Sequence, residues 1–187
     1  MYSVDEALER ILSHFSPLPA EIVRLEEAFG RVLAQPIRAA HDLPPFANSA
    51  LDGYAVRAAD VATASAEQPV QLPVSGDIPA GSFPRAPLPP RTAMRIMTGA
   101  PLPEGADAIV PVEQTDEGAS GFALNSPLPE QVSIRAAVSA GNGVRQAGED
   151  VRAGALVLDS GRVLGAADIG ILAGLGVAQV SDRKSVV

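Results

Sequence analysis

Asn48-Ser49-Ala50-Leu51-Asp52-Gly53 gathers two neutral hydrogen-bonding side chains, one carboxylate and a permissive glycine within six residues. A carboxylate on a loop with stiff flanks can accept a proton, orient a water or ligate a cation, and binding residues gather on such loops. Pro44-Pro45 supplies one flank, because proline fixes φ and holds the residue before it out of the helical region. Asp-Gly is equally a common hairpin turn, with Asn and Ser as its caps, and the turn is the commoner use of such a run.

Two further runs carry reactive side chains. In Arg95-Ile96-Met97-Thr98-Gly99-Ala100-Pro101-Leu102-Pro103-Glu104-Gly105-Ala106-Asp107, a strand ends at Thr98-Gly99. Thr98 offers a hydroxyl, Gly99 a backbone open to close approach, and Arg95 is the nearest strong anion donor. The alternative is a proline-rich connection in which Thr98 bonds its own turn. Arg145-Gln146-Ala147-Gly148-Glu149-Asp150 places paired carboxylates after a glycine, able to hold a divalent cation or orient an Arg, or simply a solvated turn. Asp168 falls in the first turn of a helix, where the macrodipole favours an acid and a structural role is the default.

The elements that must position these groups follow from periodicity. Ser3-Val4-Asp5-Glu6 reads as a capping box opening an amphipathic helix over 4–15, ended by Pro17 and Pro19. A short strand at Ile22–Leu25 leads to a helical turn that stops at Gly30, and 31–40 reads as extended. Strands are expected at Val70–Val74, Thr92–Met97, Ala108–Val112, Gly121–Leu124 and Gln131–Ile134, with Glu113–Ser120 as a hairpin tip. Beyond Ala140 come turns at Gly141-Asn142-Gly143 and Gly148, a strand at Ala155–Leu158, a helix at Ala166–Leu175 closed by Gly176, and a strand at Val177–Val180. Lys184–Val187 reads as the opening of another strand. The fold class is therefore α+β, mostly β: a small α/β subdomain (1–44 and 139–187) interrupted by a β-rich, barrel-like subdomain (45–138).

Composition narrows the function classes. The chain has 187 residues, 47% of them hydrophobic, with aromatics at 4% and no Trp, so Ala, Val, Leu and Ile must fill the core. The absence of Cys removes disulfides, thiolate metal sites and Cys nucleophiles, and fits a cytoplasmic setting. No run approaches the length of a membrane span, and a formal net charge of −8 argues against nucleic acid and anionic membranes as partners. There is no Gly-x-Gly-x-x-Gly, no Gly-Lys-Ser/Thr and no nucleophile elbow, and neither His14 nor His41 has a second His at ligand spacing.

Taken together in order, the runs at 45–56, 95–110 and 145–150 closely resemble the N-terminal half of the MoeA family. These are the molybdopterin molybdenumtransferases, whose animal counterpart is the gephyrin E domain. The resemblance implies insertion of molybdenum from molybdate into adenylyl-molybdopterin with release of AMP, dependent on Mg2+. It implies an elongated homodimer that takes its substrate from a molybdopterin adenylyltransferase. Asp52 and Thr98 would be the functional acid and hydroxyl facing the cleft, with Asn48, Ser49, Arg95 and Gly99 beside them and Asp150 as a supporting acid. Asp168 matches a position where the family often has Glu; Leu51 stands where Met is usual, which preserves volume. The metal ligands are not identified by the resemblance. It further implies that a Rossmann-like domain and a C-terminal β domain belong to the whole enzyme, so that these residues form one wall of a shared site and are inactive alone. The alternative is a non-catalytic dimerisation or partner-docking module of gephyrin type, against which the low aromatic content argues.

Overall fold

The computed structural model describes residues 2–16, 18–119 and 127–183. The chain divides into two compact units, Met1–His41 with Val151–Val187, and Asp42–Asp150. The architecture is mostly β, with a curled half-barrel sheet.

The first unit opens with α1 (Val4–Leu12). Ser3 Oγ accepts the Glu6 N–H at 3.2 Å while the Glu6 carboxylate accepts the Ser3 N–H at 2.8 Å, which is the reciprocal cap that Ser-x-x-Glu predicts. The helix stops at Leu12, short of Phe15, and none of its residues is buried. β1 (Glu21–Arg24), β2 (Val32–Leu33) and β3 (Ile37–Arg38) follow. They stay short because Gly30, at φ +76°, and Pro36 interrupt the apolar run.

The second unit contains β4 (Asn48–Ser49), β5 (Gly53–Val56), β6 (Val70–Ile78), β7 (Ala93–Ile96), β8 (Ala108–Pro111), β9 (Gln131–Ile134) and β10 (Val144–Arg145). Five of these form one sheet in the order β8-β5-β7-β6-β9, antiparallel except for the β6–β7 pair. Alternation sends Tyr54, Val56 and Val110 to one core and Ala55, Ile96 and Ile109 to another, so the middle of the sheet is covered on both faces. Pro and Gly confine most strands to four residues or fewer, while β6 continues past its bulge at Ser75 to Ile78.

The chain then returns to the first unit through β11 (Leu156–Leu158), α2 (Ala166–Gly174) and β12 (Gln179–Arg183). β12 lies between β1 and β2, and β11 pairs with β3. Val23, Leu33, Leu158, Leu164, Leu172 and Val180 make this unit's core.

Several sequence expectations are corrected. Residues 139–150 pack in the second unit, because Gly141 N–H donates to Asp107 O at 2.7 Å, Asn142 Nδ2 to Ile109 O at 2.7 Å, and β10 pairs with β4. The residues read as a hairpin tip instead form two 3-10 turns, Val112–Gln114 and Glu117–Ala119, around a buried Thr115 that bridges to Ile134. The last strand begins at Gln179 and runs to Arg183. The strand expectations at 121–124 and 184–187 lie outside the described residues.

Gly53 shows why glycine is required at the start of β5. A Cβ there would run into the Val110 carbonyl oxygen and lie 3.0 Å from Val112 N. Gly53→Ala should therefore lower stability by about 3 kcal/mol or more. Gly170→Ala, in open space within α2, should be neutral or stabilise by about 0.5–1 kcal/mol. Thermal unfolding followed by circular dichroism checks both; equal melting temperatures for the two variants would contradict the close approach.

Candidate functional site

The antiparallel register Gly53↔Ile96 sets the residue before β5 beside those that follow β7. Asp52 Oδ1 consequently accepts two hydrogen bonds from a residue 46 positions away, the Thr98 N–H at 2.7 Å and the Thr98 Oγ–H at 2.8 Å. Both residues are exposed. Gly99, at φ +81°, turns the chain directly afterwards and donates its N–H to Ser49 O at 2.8 Å. Ser49 N–H donates to Ala100 O at 3.0 Å, and Val112 N–H donates to Asp52 O at 3.1 Å. A carboxylate with one oxygen engaged by a hydroxyl, at an exposed sheet end, can take a proton, hold a water or ligate a cation through the other oxygen. The Thr98 hydroxyl therefore does not merely bond its own turn.

Asn48 and Ser49 stand apart from that exposed pair. They form β4, and their relative exposures are 6% and 1%, too little for direct contact with a solute. Ser49 Oγ donates to Leu51 O at 2.5 Å and accepts the Leu51 N–H at 3.3 Å. Among the described residues, Asn48 Oδ1 is buried without a hydrogen-bond partner. The third run joins here, since the β4–β10 register is Arg145↔Asn48 and Val144↔Ser49.

Arg95, expected as an anion donor, is buried and committed to Asp77. Its Nε and Nη2 reach the two carboxylate oxygens at 3.0 Å each, and this pairing raises its pKa. The row continues to Tyr54, opposite Arg95 on β5, whose hydroxyl donates to Glu117 at 2.5 Å. Burial first, and the Glu117 hydrogen bond second, push the Tyr54 phenol far above its ordinary value. Neither Asp77 nor Glu117 is legible as a partner in the sequence, because the β6–β7 register brings Asp77 opposite Arg95 and the 3-10 turn at Glu117–Ala119 brings Glu117 to Tyr54.

Asp150 makes an ion pair with Arg145 at 2.5 Å, and Glu149 lies 3.8 Å from the same guanidinium. Among the described residues no hydrogen bond or ion pair links Asp150 to Asp52 or Thr98. Asp168 belongs to the first unit. It accepts Arg162 Nε at 2.9 Å and the Gly165 N–H at 2.9 Å, capping α2. Among the described residues no three His, Cys, Asp or Glu side chains come together as a metal site, and no helix is long and apolar enough to cross a membrane.

This geometry sits on a fold with known relatives. The family described as MoeA N-terminal region (domain I and II) matches residues 2–176, and the chain belongs to that family. It is 48% identical over 158 residues to molybdopterin molybdenumtransferase 2 of Mycobacterium tuberculosis, covering 84% of this chain and 36% of that protein. It is 38% identical over 183 residues to molybdopterin molybdenumtransferase of Synechococcus elongatus, covering 95% of this chain and 42% of that protein. The crystal structure of a molybdopterin biosynthesis moeA protein from Pyrococcus horikoshii superposes with a TM-score of 0.83 at 32% identity, over 96% of this chain and 45% of that one. The chain thus spans 36–45% of the length of these relatives.

The Asp168 cap has a pH signature. The Arg162 hydrogen bond, then the Gly165 N–H, hold its carboxyl below the ordinary value. The stabilisation is therefore full above that ordinary value and is lost as pH falls through the lowered one. Asp168→Asn should flatten the acid limb of a melting-temperature profile while lowering the neutral plateau; an unchanged acid limb would show that the cap does not titrate with folding.

Proposed function

We propose that this chain supplies the acid-and-hydroxyl wall of a site that transfers molybdenum from molybdate to adenylyl-molybdopterin with release of AMP. The observation that carries the reading is the Asp52–Thr98 pair, held at an exposed sheet end in a chain of the MoeA N-terminal family. Transfer to this chain rests on that pair together with the names of its relatives.

The charges constrain what the pair does. Molybdate, the pyrophosphate link and the pterin phosphate are anionic, and the chain carries a formal net charge of −8, so a carboxylate pressed against them would be repelled. With its proton on Asp52, Thr98 Oγ is an acceptor. The pair therefore suits a water or a cation better than a phosphate oxygen: Asp52 takes a proton from water or orients it, and Thr98 fixes the carboxylate. Magnesium binds through one or two carboxylates with substrate phosphates and waters, and Asp52 Oδ2 fits as one such ligand; the ion would offset the anionic charge. Arg95 and Arg145 stay with Asp77 and Asp150 and shape the scaffold.

A second reading, as an interaction module, has one observation in its favour. Val4, Leu8, Ile11, Leu12 and Phe15 are exposed by 51–84%, an apolar stripe on α1 and the turn after it. The homodimer expected of the family is compatible with it, and the two readings can coexist.

Asp52→Asn tests the enzymatic reading in the chain extended to the length of its relatives, assayed for AMP release and molybdenum insertion. Turnover should fall on the order of a hundredfold, with the melting temperature little changed because Oδ1 still accepts the Thr98 hydrogen bonds. Wild-type turnover in the variant would sink the assignment of Asp52.

A further inference from the structure

Ser49 is buried away from the exposed pair, yet it bonds the residues that adjoin Asp52 and Thr98 in the chain. Its backbone N–H and carbonyl bond Ala100 and Gly99, which fastens the loop to the turn that carries Thr98. Its hydroxyl grips both the carbonyl and the N–H of Leu51, the residue before Asp52. The neighbouring Ala50 N–H is held by Gly143 O at 2.8 Å, and Leu51 Cδ1 lies so close to Gly143 that a Cβ there would meet it at 3.2 Å. The backbone bonds on either side are those of the Ala50 N–H and of the Asp52 carbonyl, which accepts the Val112 N–H at 3.1 Å; between them the Ser49 hydroxyl holds both polar groups of the Leu51 backbone.

We propose that Ser49 is a positioning residue for the Asp52–Thr98 pair: its hydroxyl locks the Leu51 peptide so that the Asp52 carboxylate meets the Thr98 N–H and hydroxyl together. Ser49 touches no substrate in this arrangement; it acts through Asp52. The catalytic consequence rests on the function proposed above, whereas the geometric one does not. Ordering a carboxylate before the substrate arrives lowers the cost of reaching the productive geometry, and a small misplacement forfeits much of it.

The experiment is amide hydrogen exchange at one fixed pH in the 187-residue chain. The Thr98 amide, which donates to Asp52 Oδ1, should exchange slowly, and Asp52→Ala, which removes the acceptor, should speed it. Ser49→Ala should speed Thr98 exchange by on the order of tenfold while the Tyr54 and Ile96 amides keep their wild-type rates, and Ser49→Thr, which restores a hydroxyl, should recover the protection. A Ser49→Ala variant with wild-type Thr98 protection overturns the proposal. If Ser49→Ala does not fold, the unaltered chain still decides: the Leu51 amide, which donates to Ser49 Oγ, should exchange slowly with solvent, and fast exchange overturns the proposal. Loss of the Thr98 protection without any turnover defect in the extended chain would leave the positioning role standing and refute the enzymatic reading.

Discussion

The antiparallel register of β5 on β7 is the constraint from which the rest of the site follows. Gly53 faces Ile96 in that ladder, so the chain leaving β7 must pass beside the chain entering β5. Asp52 and Thr98 are thereby brought into contact at a sheet end, where the ladder has run out and polar groups remain to be paired. Gly53 makes the placement possible on the other side, because β8 approaches so closely that no side chain fits. A slip of one residue would send Tyr54 to the wrong face and separate the acid from the hydroxyl.

Three arginines of the candidate runs and of α2's cap are paired with carboxylates of the scaffold. Arg95 is held by Asp77, Arg145 by Asp150 and Glu149, and Arg162 by Asp168. The exposed acid at Asp52 is different, since its partner is a neutral hydroxyl and an amide. A carboxylate held by neutral donors keeps its charge for a cation or a proton, whereas one paired with Arg has little left to offer. This separates Asp52 from Asp150 and Asp168, each of which is paired with an arginine.

Local features were the most legible. The Ser3–Glu6 capping box, the glycine stop at Gly30, the strand at Gln131–Ile134 and the helix before Gly176 all follow from contacts within a few residues, and the structure has them. The errors share one cause. Composition marks 113–120 as a polar hairpin tip, but Thr115 bridges to Ile134, and it assigns 139–150 to the discontinuous α/β subdomain, but Asn142 and β10 bind Ile109 and β4. In each case a long-range backbone partner overrode local composition, and no window of sequence contains such a partner.

The sequence by itself determined the family, the reactive residue types and the positions at which the chain must turn, because these depend on side-chain identity and on the local backbone freedom of Gly and Pro. Only the tertiary structure decided which of those residues act together. Asp52 meets Thr98, Ser49 withdraws into the interior to hold them, and Arg95 is spent on Asp77. The physical reason is that hydrogen-bond partnership across strands is set by register, a property of two distant segments at once, while composition and periodicity are properties of one.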